Sequence, residues 1–146
     1  MYAGLAASLD PEPERFLFRT YCARYGAAGG HELPALIAQF YLHYDPYTRR
    51  SPEHTSTLAR QRIDFLLTPD RSRLVIEVDG VQHYADATGK ASPRLYSEMA
   101  AEDRRLRLMG YDIYRFGGHE LARPGASTML HSFFSKLLSR HKRPGA

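Results

Sequence analysis

Asp64, Glu77 and Asp79 are the residues of this chain whose types and spacing could do chemistry. They lie in the stretch RQRIDFLLTPDRSRLVIEVDGVQHY, residues 60–84. Two apolar runs, Ile63–Thr68 and Arg73–Val78, flank Pro69-Asp70-Arg71-Ser72. Pro, Asp and Ser form turns, so the stretch predicts a β-hairpin. With Thr68 facing Arg73, Asp64 falls opposite Glu77, and Asp79 falls opposite Arg62 on the same face. Directly opposed side chains sit about 5 Å apart at Cβ, and like charges there destabilise a sheet. Three carboxylates on one face of an apolar hairpin therefore need a reason. A bound divalent cation is the most economical one. A shift of one residue in register would undo the arrangement.

The elements that must position these groups follow from the rest of the chain. A first helix is expected after Asp10 and Pro11, a cap and a first-turn residue. Leu17, Phe18, Tyr21, Cys22 and Tyr25 form its apolar stripe, with Glu14 on the same face. Gly26, Gly29 and Gly30 end it. Leu36–Tyr44 predicts a first strand. Asp45–Thr57 predicts a long exposed loop of the kind that often carries function. After the hairpin, residues 80–93 form a second long connection. Pro93–Met109 predicts a helix with Leu95, Met99, Leu106 and Met109 inward and Arg104, Arg105 and Arg107 on a basic flank. Gly110 stops it. Tyr111–Phe116 alternates into a fourth strand, broken by Gly117-Gly118. A last helix is expected over about residues 127–140, with Leu130, Phe133, Phe134, Leu137, Leu138 and His141 on one face. The expected fold is α/β, of αβββαβ order. A helix between the third and fourth strands implies a parallel crossover, and so a mixed four-stranded sheet covered by helices.

The chain has 146 residues, the length of one domain, with a core over about residues 11–121. At 43% hydrophobic and 25% charged residues it reads as a folded globular protein. No apolar run approaches the ~20 residues of a membrane span, and the start lacks a secretory leader pattern. With Cys22 as the only cysteine there is neither an internal disulfide nor a CxxC pair. A cytoplasmic location is the default expectation. The net charge of +4 favours a polyanionic partner. Nucleotide-binding P-loop and dinucleotide patterns, the nucleophile elbow and HExxH are all missing.

The element order, with Asp64 on the second strand and Glu77-Val78-Asp79 on the third, resembles the PD-(D/E)XK restriction-endonuclease-like superfamily. VIEVDGVQHY followed by EDRRLRLMGYDIYRFGG looks most like its very-short-patch-repair-type (Vsr-like) branch. The resemblance covers roughly Glu14 to Leu121 and rests on IDF, IEVDGxQH and GYxxYRF at ordered intervals.

That resemblance implies Mg²⁺- or Mn²⁺-dependent phosphodiester hydrolysis, in DNA before RNA. It implies Asp64, Glu77 and the Val78 carbonyl as metal ligands. The superfamily's usual lysine is replaced here by Asp79, so Arg62, Gln82 and His83 are the local groups left to stabilise the transition state. Glu14, on the first helix, is the carboxylate that would complete the catalytic set. Asp79 either orients water or pairs with Arg62; His83 is a general base, a ligand or a hydrogen-bonded loop residue. Arg62, Arg104, Arg105 and Arg115 are the expected nucleic-acid contacts, although the arginines of the second helix also read as a solvated face. Phe40, Tyr41, Tyr44 and Tyr47 either stack on bases or fill the core. His31, His43, His54, His119 and His131 show no ligand spacing. Two other readings stay open. One is a catalytically inactive nucleic-acid-binding module on the same fold. The other is an RNA-directed effector domain of a defence or toxin system. A homodimer suits double-strand cleavage.

Overall fold

The hairpin turn sets the sheet. The Ser72 N–H donates to the Pro69 carbonyl at 2.9 Å, and Asp70 adopts φ of 50°, a left-handed conformation that Asp tolerates. The computed structural model describes Leu9 and residues 12–27, 30–41 and 62–141. In chain order the elements are α1 (Glu12–Tyr25), β1 (Leu36–Tyr41), β2 (Arg62–Leu67), β3 (Leu74–Asp79), α2 (Pro93–Leu108), β4 (Asp112–Gly117), α3 (Gly118–Leu121) and α4 (Ala126–His141). Single 3₁₀ turns occupy Gly30–Glu32 and Val81–His83.

The strands lie in the order β1-β2-β3-β4. β1–β2 and β2–β3 are antiparallel, and β3–β4 is parallel. The fold is thus α/β with a mixed four-stranded sheet between helices. Phe65 pairs with Ile76 and Leu67 with Leu74, the register expected of the Pro69–Ser72 turn. The crossover between β3 and β4 is α2. Ser92 caps it, its Oγ accepting from the Leu95 N–H at 3.4 Å, and Pro93 opens its first turn. Gly110 ends it at φ of 84°. Arg73 then donates to the Met109 carbonyl at 2.9 Å and lies over the Tyr111 ring. A cation on the last carbonyls of a helix is favourable.

Each face of the sheet has its own core. On one face Leu17, Phe18 and Tyr21 of α1 and Leu130, Phe134 and Leu137 of α4 pack on Phe65, Leu67, Leu74, Ile76 and Val78. Phe133 meets Phe116 edge-on at 4.9 Å between ring centroids. On the other face Leu106 of α2 and Tyr111 pack with Ile63, Leu66 and Val75, and Phe40 joins them. Cys22 lies half-buried against the first core.

β1 is described as far as Tyr41, and the rest of its expected span to Tyr44 lies outside the described residues. Other element ends shift by a residue from expectation. β4 runs one residue past Phe116, to Gly117, because its partner β3 extends to Asp79. The strand breaks at Gly117-Gly118 as expected, and the short helix α3 starts there. Asp10, Pro11, Gly29, Tyr44, Tyr47, His43, His54, the loop of residues 45–57 and the tail after His141 lie outside the described residues.

Candidate functional site

The β2–β3 ladder stops at Phe65↔Ile76, while β3 continues along β4 as far as Asp79. Beyond that point Asp64 takes over from the backbone. Its Oδ2 accepts the Val78 N–H at 2.9 Å. On the other side of β2 the pairing also skips this step. Ala38↔Phe65 and Phe40↔Ile63 are paired, but Gln39 between them adopts φ of 52°. Both ladders are thus interrupted at Asp64, which frees the aspartate from the ordinary strand geometry.

One step past the last β2–β3 pair, Asp64 meets Glu77. The two are only 5% and 9% exposed. Burial first, then the Asp64 charge, with smaller additions from Asp79 and a hydrogen bond with Asp64 and opposition from Arg115, together push the Glu77 carboxyl up to about 9. Glu77 therefore holds a proton at neutral pH.

Arg62 stands over the start of β2. Its Nη2 lies 3.6 Å from Asp64 Oδ1 and 3.7 Å from Glu14 Oε1. Glu14 projects from the first turn of α1 and is only 3% exposed. Arg62 thus bridges two buried carboxylates on different elements. The cross-strand pair of Arg62 with Asp79, left open by the sequence, does not form. Asp79 Oδ1 instead accepts from Arg115 Nη1 at 2.7 Å. Arg115 in turn clasps Asp103 of α2, through Nε at 3.0 Å and Nη2 at 2.7 Å. His83 Nδ1 lies 3.8 Å from Asp79 Oδ1.

A cleft of about 250 Å³ opens between this sheet edge and α2. Arg62, Glu77, Gln82, His83 and Arg115 line it, so five of the residues singled out in the sequence share one cavity. A Cβ at Gly80 would come within 2.3 Å of the end of the Gln82 side chain, which would have to swing aside. Facing them from α2 are Leu95, Glu98, Met99, Glu102 and Leu106. Glu98, Glu102 and Asp103 escaped the sequence reading. The signal was present, since 95, 99, 102 and 106 form one helical stripe and Glu102 sits on it.

The arginines expected to meet nucleic acid divide into groups. Arg62 and Arg115 line the cleft. Arg104 is exposed on α2. Arg105 is turned along the helix onto Glu102 at 2.7 Å. Phe40 is packed into the core, the bland one of its two readings.

Among the described residues no three His, Cys, Asp or Glu side chains form a ready-made metal cage. The donor chemistry nonetheless fits a hard divalent cation. Two carboxyls, Asp64 and Glu77, share a buried position, and Glu77 holds a proton that a cation would displace. Mg²⁺ in particular takes one or two carboxylates and completes its shell from water and phosphate. No family model matches the chain, and no curated protein or solved structure matches it.

Proposed function

We propose that this protein is a divalent-metal-dependent nuclease of the PD-(D/E)XK type, hydrolysing phosphodiester bonds in DNA. The observation that carries the reading is the buried Asp64–Glu77 pair, of which Glu77 lines a cleft together with Arg62 and Arg115. Two carboxyls brought together in a buried position can coexist without a cation only when one of them stays protonated, so a site that retains both has a use for a cation. The αβββαβ order with its mixed sheet supports the same reading.

In this scheme Asp64, Glu77 and the Val78 carbonyl hold Mg²⁺ or Mn²⁺. When bound, the ion neutralises the phosphate and activates water. The chain's own groups do the rest. Glu77 gives up its proton before it can ligate. Arg62 offsets the charge of Asp64 and Glu14 and faces the cleft, where a phosphate backbone would enter. His83 and Gln82 line the same cleft; His83 would take the proton of the attacking water, and the Gln82 amide would help to orient it. Glu14 acts through Arg62, since the guanidinium lies within reach of both Glu14 and Asp64.

One observation favours a second reading. The Arg62 cation already lies against Asp64, and no three His, Cys, Asp or Glu side chains are grouped for a metal among the described residues. That arrangement suits a module that binds nucleic acid without cutting it. Calorimetry with Mg²⁺ and Mn²⁺ on the wild type, Asp64→Ala and Glu77→Ala separates the two, with plasmid, single-stranded DNA and RNA incubated alongside. The nuclease reading expects binding at millimolar or lower concentration and cleavage, both lost in the variants. Nucleic-acid binding with neither metal uptake nor cleavage selects the module. Cleavage confined to RNA selects the effector reading.

A further inference from the structure

Arg115 occupies an unusual place. It stands on β4 in parallel register with Glu77, yet its guanidinium is wholly engaged by carboxylates from two other elements. Nη1 donates to Asp79 Oδ1 at 2.7 Å. Nε donates to both Asp103 oxygens, at 3.0 and 3.2 Å, and Nη2 to Asp103 Oδ1 at 2.7 Å. The Asp103 contact is the two-pronged fork that fixes a guanidinium in plane. With the fork on α2, the remaining arm is aimed at Asp79. Asp79 Oδ1, the same oxygen, faces His83 Nδ1 at 3.8 Å, an ion-pair distance a few tenths of an ångström beyond a hydrogen bond. Arg115, Asp79 and Asp103 have side chains 20%, 13% and 20% exposed, so their contacts are largely screened from water, while the His83 side chain is 39% exposed to the cleft and solvent.

We infer that Arg115 is a positioning residue: anchored by Asp103, it holds Asp79, and Asp79 fixes the orientation and tautomer of His83 in the cleft. Histidine ring nitrogens are distinct, and a carboxylate beside Nδ1 keeps the proton there. That leaves Nε2 unprotonated and able to accept a proton from water in the cleft. A base oriented by a third group in this way is a recurring catalytic device. The inference rests on the nuclease reading for its purpose, but the geometry it asserts does not. It also assigns Arg115 a task other than the phosphate contact expected of it from sequence, since each guanidinium nitrogen already serves a carboxylate.

The test is ¹⁵N NMR of the His83 ring in the full-length, metal-free protein. The wild type is expected to show the neutral Nδ1–H tautomer. Arg115→Ala is expected to lose it in favour of the mixture seen for an unrestrained imidazole, and added guanidinium is expected to restore it. Asp103→Asn, which keeps shape while removing the anchoring charge, is expected to move the signal the same way. It decides the matter alone if Arg115→Ala does not fold. An unchanged tautomer in a folded variant overturns the inference, whatever the outcome for cleavage. On a cleaved DNA substrate, the positioning role expects kcat to fall by about 10- to 100-fold with KM unchanged. A rise in KM with kcat unchanged instead makes Arg115 a phosphate contact and also overturns it. A protein that never cleaves DNA but shows the tautomer shift refutes the nuclease reading and leaves this one standing.

Discussion

Asp64 faces Glu77 one step beyond the point where β2 and β3 stop exchanging backbone hydrogen bonds. The two carboxyls lie between apolar neighbours, and Glu77 keeps its proton up to about pH 9. A sheet that closed its ladder fully would have no need of Asp64 there. The position combines an opened ladder, burial and like charge, and each of these has a measurable consequence.

The first is a pH dependence of stability. Glu77 ionises near 4.5 when unfolded and near 9 when folded. Between those values the folded state holds the extra proton, so stability falls as pH rises. The Glu77 contribution is fully present below about pH 4.5 and is gone above about pH 9. The slope it adds is at most about 1.4 kcal/mol per pH unit. Urea denaturation of the metal-free protein from pH 5 to 9 should show this decline, and Glu77→Gln should flatten it. An unchanged slope in the variant would place the proton elsewhere.

Metal addition should act in the opposite direction. A cation that replaces the Glu77 proton stabilises only the folded state, by about 1.4 kcal/mol at ten times Kd. Thermal melts with Mg²⁺ should therefore shift upward, and by more at pH 8 than at pH 6, because fewer protons compete. In Asp64→Asn the melt should not respond to Mg²⁺.

Arg62 should separate charge neutralisation from fold. It lies 41% exposed over two buried acids. If it also contacts a phosphate, Arg62→Ala weakens DNA binding evenly across sequences and lowers the slope of log K against log salt by about 1. Fluorescence anisotropy at several salt concentrations measures this. An unchanged slope confines Arg62 to the protein's interior electrostatics.

Gly110 gives a test of the crossover. Its φ of 84° and the Arg73 guanidinium 3.0 Å from where a Cβ would stand make a side chain costly. Gly110→Ala should destabilise the protein by about 1–2 kcal/mol, as a left-handed alanine does. Gly89, also at positive φ, has open space around it, so Gly89→Ala carries only the backbone cost and serves as the control. Equal losses in the two variants would show that the Arg73 contact contributes nothing.

Much of the scaffold was legible because it is local. Pro69 to Ser72 set the hairpin register, and the register set Asp64 against Glu77. Pro93 and Gly110 marked the ends of α2, and the helix between two strands implied the parallel pair. What escaped depends on contacts distant in sequence. Asp79 and Arg115 are 36 residues apart and meet only because β4 lies beside β3. Periodicity places Asp79 on a face but does not say which neighbour on that face will take its charge. The cross-strand geometry favoured Arg62, but the guanidinium went to Glu14 and Asp64, a helix carboxylate and a residue of its own strand. The acids of α2 were hidden for a similar reason: a carboxylate on a helical stripe reads as solvated until the opposite wall is known.

The Val78 amide has a further use. Its proton is held by a side-chain carboxylate in place of a neighbouring strand. Its chemical shift and solvent-exchange rate therefore sense the charge on Asp64 directly, whereas most sheet amides sense only the opening of the sheet. A single backbone resonance in the middle of the molecule is thus a built-in reporter of whatever enters the cleft and draws on that carboxylate. It can be followed without a substrate and without altering a residue.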